Sequence, residues 1–87
     1  RDFERGRAAA SRGDWRAALQ LFEREARRAE ANPEFHHWLA VAHLQLGDAE
    51  AARRELALAV QYSQSRDERE RYAGKLSRLA EAASPVR

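Results

Sequence analysis

Arg12-Gly13-Asp14-Trp15-Arg16-Ala17-Ala18 and Leu46-Gly47-Asp48-Ala49-Glu50-Ala51-Ala52 are the two stretches that decide the fold. Each sets a Gly-Asp pair between runs of helix-forming residues. Gly takes the left-handed conformation that closes a helix C-terminus. Asp then caps the next helix by accepting backbone N–H groups of its first turn. The corner at 13–14 recurs at 47–48, 34 residues on. The same offset relates Gly6 to Ala40, Ala40 to Gly74, and Phe22 to Leu56. Matches in one register define a repeat, and this period is the length of a helix–turn–helix unit.

Working outward, the first helix runs from Arg1 or Asp2 to Arg12. The second starts at Asp14 and carries Trp15, Ala18, Leu19, Phe22, Ala26 and Ala29 as one apolar stripe. Asn32-Pro33 ends it, because the residue before proline avoids the helical region while proline suits the first turn of the next helix. The third helix, from Pro33 or Glu34 to Leu46, turns Phe35, Trp38, Leu39, Ala42 and Leu46 toward the core. The fourth buries Ala52, Leu56, Ala59 and Val60 and frays near residues 61–64. Ser65 and Glu68 form a capping-box pattern for a fifth helix. Its stripe is Tyr72, Leu76, Leu79, Ala80 and Ala83, and Ser84-Pro85 stops it.

Composition agrees with that reading. The 87 residues suffice for one small domain, 34% charged and 44% hydrophobic. Nineteen are Ala, and Ile and Thr are absent, which favours helix over sheet. No apolar run is long enough to span a membrane. No secretory leader opens the chain, but a start at Arg1 reads as a fragment or processed form. The compartment therefore stays open, with a slight tilt to the cytoplasm and the periplasm admitted for a longer parent. Arg- and Ala-rich, Lys-poor usage is associated with high-GC bacterial genomes. The absence of Cys excludes disulfides, Cys-based zinc sites and thiol nucleophiles. Sixteen basic residues oppose fourteen acidic ones, and Lys75 is the only Lys. The signs interleave, as in Arg66-Asp67-Glu68-Arg69-Glu70-Arg71, which marks solvated helix faces and speaks against a nucleic-acid partner.

The repeated Gly-Asp corner, with a small residue seven positions before it, resembles the tetratricopeptide repeat (TPR) family. Phe22 and Leu56 fit that family's bulky position on the second helix, and Trp15 its aromatic after Gly-Asp. The resemblance implies an all-α fold, a five-helix antiparallel α-hairpin array in a right-handed solenoid. It forms a single domain, with one repeat at 1–32, a second at 33–64, a C-terminal capping helix at 65–83 and a tail at 84–87. There are departures. His36 and His43 stand at the family's Trp- and Tyr-like positions and Ala49 replaces an aromatic, which implies a thinner core. Asp2 and Arg5 occupy places that are normally apolar, which implies an exposed first helix or a missing upstream repeat. The proline at 33 comes about three residues late, which implies a longer second helix.

The same resemblance assigns the concave face to the columns Phe3/His37/Arg71, Arg7/Val41/Lys75 and Ala10/Leu44/Arg78. It implies an apolar middle flanked by cations, suited to a peptide bearing a carboxylate or acidic side chain. The expected partner-binding residues are Arg7, His37, Val41, Leu44, Arg71, Lys75 and Arg78. The Lys/Asn carboxylate clamp of the chaperone-binding members is absent. Its places hold Phe3, Arg7, Trp38, Glu68 and Tyr72. The competing reading makes these groups ordinary solvated charges paired with Glu68 or Glu70.

His36 and His43 lie two turns apart, too far for one metal ion to bridge, and read as packing histidines. His37 is the better candidate for ligand contact and pH sensitivity. Trp15 and Trp38 read as core, with Trp38 able to show its indole at the groove edge. No Ser has a His and carboxylate placed for nucleophilic catalysis and no Gly-rich phosphate loop occurs, so neither catalysis nor a cofactor is expected. The leading function is thus a non-catalytic module that binds a protein or peptide. The alternatives are self-association, including a homodimer, docking within a larger protein, and RNA binding by a basic array.

Overall fold

The computed structural model describes residues 1–83. It contains α1 (Asp2–Ser11), α2 (Trp15–Arg28), α3 (Pro33–Gln45), α4 (Ala49–Tyr62) and α5 (Arg66–Ala83). Each helix packs chiefly on its neighbours in the chain, giving an array of 43 × 28 × 18 Å. The expected stop at Ser84-Pro85, the 84–87 tail and the side chain of Ala83 lie outside the described residues.

The two Gly-Asp corners share one geometry. Gly13 has φ 80° and Gly47 has φ 86°. At the first corner, Asp14 N–H donates to Ala9 C=O and Gly13 N–H to Ala10 C=O, both at 2.9 Å. At the second, Asp48 N–H donates to His43 C=O at 2.8 Å and Gly47 N–H to Leu44 C=O at 3.0 Å. This paired closure satisfies carbonyls that a helix end otherwise leaves open. Asp14 and Asp48 then accept from Ala17 N–H at 3.3 Å and Ala51 N–H at 3.1 Å. Asn32 caps α3 through Glu34 N–H, with Pro33 in the first turn. Ser65 Oγ accepts from Glu68 N–H at 3.0 Å, and the Glu68 carboxylate reaches back to Gln64 N–H at 2.8 Å. That reach is one residue earlier than in the usual capping box.

Alanine makes the core economical. One cluster sets Ala9, Ala18, Phe22, Ala26, Leu39 and Ala42 together. Phe22 is its largest fully buried side chain and packs against Phe3 and Trp38 at ring distances of 5.9 and 5.7 Å. A second, smaller cluster holds Ala40, Ala52 and Leu56 under Leu76 and Leu79. Gly6 lets α1 meet Phe22, since a Cβ there would fall 2.6 Å from Phe22 Cε1.

Three sequence expectations need correction. The first helix is not exposed at Asp2, which is 7% accessible. Its carboxylate lies 3.1 Å from Arg5 Nη1 and 3.8 Å from Arg24 Nη1, so paired charge replaces the apolar contact. The second helix is not lengthened by the late proline. It has 14 residues, as α4 has, and the extra residues form the 29–32 connector. Val60 is only half-buried and Ala80 is exposed, because no further helix covers those sides among the described residues. His36 is the buried, satisfied packing histidine that its place predicts. Its Nε2 donates to Glu30 C=O at 2.6 Å, its Nδ1 lies 2.8 Å from Glu55 Oε1, and its ring stacks on Tyr62.

Candidate functional site

Helical rotation sets up the site. Consecutive residues on a helix are turned about 100° apart, so His37 and Trp38 leave α3 on different sides. His37 faces α5, its ring 5.3 Å from that of Tyr72. Trp38 faces α1, with the Arg7 guanidinium 5.5 Å from its ring centre.

Between α3 and α5 lies a cavity of about 340 Å³. His37, Val41 and Leu44 form one wall, Lys75, Arg78 and Leu79 the other, and Ala40 and Leu56 the floor. Leu44 is 40% accessible, the one large apolar side chain that stands exposed among the described residues. Five of the seven residues expected from sequence therefore meet here. The other two do not line this cavity. Arg71 lies over the Tyr72 ring at 5.4 Å. Arg7 sits on the far side of α3, where it lines a second cavity of about 280 Å³ with Ala10, Ser11, Trp15 and Trp38.

Ala40, Leu56 and Leu79 in the first cavity, and Ser11 and Trp15 in the second, stand outside the 34-residue columns. Leu56 and Leu79 read as core because they sit on apolar stripes, and only packing shows that the same side chains face an opening. Trp15 follows a capping Asp, and its helical spacing gave no sign of the cavity beside it.

The electrostatics are one-sided. Arg7, Arg71, Lys75 and Arg78 are exposed and make no ion pair among the described residues. Elsewhere Arg5, Arg24, Arg28, Arg53, Arg54 and Arg66 each lie within reach of a carboxylate, while Arg1, Arg12, Arg16, Arg27 and Arg69 are also unpaired among the described residues. Burial, then Lys75 and Arg71, lowers the His37 pKa from 6.5 to about 4. His37 is thus a neutral ring at neutral pH, which moves its titration well below the physiological range expected of a switch. Burial, then Glu68, raises the Tyr72 pKa, leaving its phenol a hydrogen-bond donor.

A larger cavity of about 540 Å³ opens between α2, α3 and α4, lined partly by Glu23, Arg27, Glu30 and Glu55. Its His36 and Glu55 are already engaged with each other. Among the described residues no group of three or more His, Asp or Glu is placed to hold a metal ion. No helix there is long and apolar enough to cross a membrane.

Comparison with curated proteins found no match, and comparison with solved structures found none. A family model described as tetratricopeptide repeat matches residues 9–79, which include both Gly-Asp corners and the walls of the cavity between α3 and α5. With five antiparallel helices and a 34-residue period in the same register, the chain belongs to the tetratricopeptide repeat family.

Proposed function

We propose that the chain is a non-catalytic module that holds an acidic segment of a partner protein in the face formed by α1, α3 and α5. The family in general mediates protein–protein interaction. One observation carries the finer reading. The exposed Leu44 opens onto an apolar cavity whose rim holds Lys75 and Arg78 with no carboxylate paired to them among the described residues. An apolar side chain of the partner would lose contact with water in that cavity, and an adjacent carboxylate would meet the two cations.

The test is selection from a random peptide display library, followed by affinity measurement. Selected peptides are expected to combine Asp or Glu with a large apolar residue, and Lys75→Glu with Arg78→Glu should abolish their binding while helicity stays intact. Enrichment of basic or charge-free peptides would refute the reading. Light scattering on the unliganded chain checks the alternative of self-association.

A further inference from the structure

The proposed groove has two apolar cavities, and α3 stands between them. Trp38 borders the smaller one with Arg7 of α1, and His37 borders the larger one with Lys75 and Arg78 of α5. Half-buried Val41 belongs to the α3 wall of the larger one. Packed helices run about 8–10 Å apart, so two clefts flanking one helix are separated by about that distance. A polyproline II segment has three residues per turn and rises about 3.1 Å per residue, which places i and i+3 on one side about 9 Å apart. A β-strand puts i and i+3 on opposite faces and needs an edge to pair with, which this helical surface does not offer. The polyproline II backbone needs no such partner. Charge complementarity adds the sign, because cations border both cavities and none is paired among the described residues.

Resting on the groove reading above, we infer that the occupant is an extended acidic segment whose apolar side chains at i and i+3 enter the two cavities together. Its carboxylates lie against Arg7 on one rim and against Lys75 and Arg78 on the other.

The test uses synthetic acidic peptides of equal length and charge, carrying one Leu or two Leu set two, three, four or seven residues apart. Trp15 and Trp38 are the only tryptophans, and both line the smaller cavity, so their emission reports its occupancy. Calorimetry gives the overall affinity. The three-residue spacing is expected to bind roughly tenfold tighter than the single-Leu peptide and to shift the emission. Leu44→Asp in the larger cavity, or Ser11→Tyr filling the smaller, should each remove that gain. Both positions are exposed, and circular dichroism checks that the fold persists. If acidic peptides bind without regard to spacing, or best at seven as a helix would, the two-cavity register is overturned while the groove reading stands. If no acidic peptide binds even at low salt, both fall.

Discussion

Gly6 and Gly74 occupy the same register position two 34-residue periods apart, yet their surroundings differ. A methyl group on Gly6 would strike the fully buried Phe22 ring at 2.6 Å. On Gly74 it would meet only the Arg78 guanidinium, at 3.4 Å. Gly6→Ala should therefore cost about 1–3 kcal/mol through overpacking. Gly74→Ala should gain up to about 1 kcal/mol from helix propensity, since the flexible Arg78 can move aside. Urea unfolding of the two variants checks both signs. His37 gives a second prediction at this scale. Its folded-state pKa is depressed to about 4 from 6.5. The unfolded chain then binds more protons between those values, so the His37 contribution to stability is whole above pH 6.5 and is lost as pH falls toward 4. His37→Gln should lower the melting temperature less between pH 7 and pH 4.5 than wild type does. Parallel pH profiles would show that neither burial nor the neighbouring Lys75 and Arg71 lowers the titration of this ring.

The corners are the elements that the sequence makes most legible. Every bond in them joins residues no more than five apart, so local chemistry is the whole cause. Nothing lies within 4 Å of a Cβ built on Gly13 or Gly47, so Ala at either position tests the left-handed backbone alone. Gly47→Ala is expected to cost about 1–2 kcal/mol, and Asp48→Ala about 1 kcal/mol for the lost cap. Thermal melts followed by circular dichroism measure both. A neutral Gly47→Ala would mean that the corner does not hold the hairpin. Helix boundaries were legible for the same local reason. Long-range pairings were not. The partner that allows Asp2 to be buried is Arg24, on the next helix, and no periodicity announces it. The site divides in the same way. The 34-residue columns located the concave face, but the assignment of Arg7 and Lys75 to different cavities depends on how α1 and α5 flank α3.

At the scale of the molecule, a linear array in which each helix meets mainly its chain neighbours is only as cooperative as its junctions. The junction between the two hairpins is α2 against α3, and His36 reinforces it. Glu30 C=O can only accept, so His36 Nε2 donates to it, while Nδ1 lies 2.8 Å from Glu55 Oε1. One buried ring thus ties the segment after α2, the start of α3 and the middle of α4, with Tyr62 stacked on it. The hairpin beyond this tie has the smaller apolar cluster and leans on the first for stability. His36→Ala should cost about 2–3 kcal/mol, because it leaves the Glu55 carboxylate and the Glu30 carbonyl without their partner. It should also uncouple the halves. Both tryptophans pack on the first cluster, so their emission follows α1 to α3 while circular dichroism follows every helix. In wild type the two urea transitions should coincide. In His36→Ala the dichroism transition should begin at lower urea than the fluorescence transition, because α4 and α5 unfold first. If the two curves still coincide in the variant, apolar contact alone couples the repeats and the histidine bridge is dispensable to cooperativity.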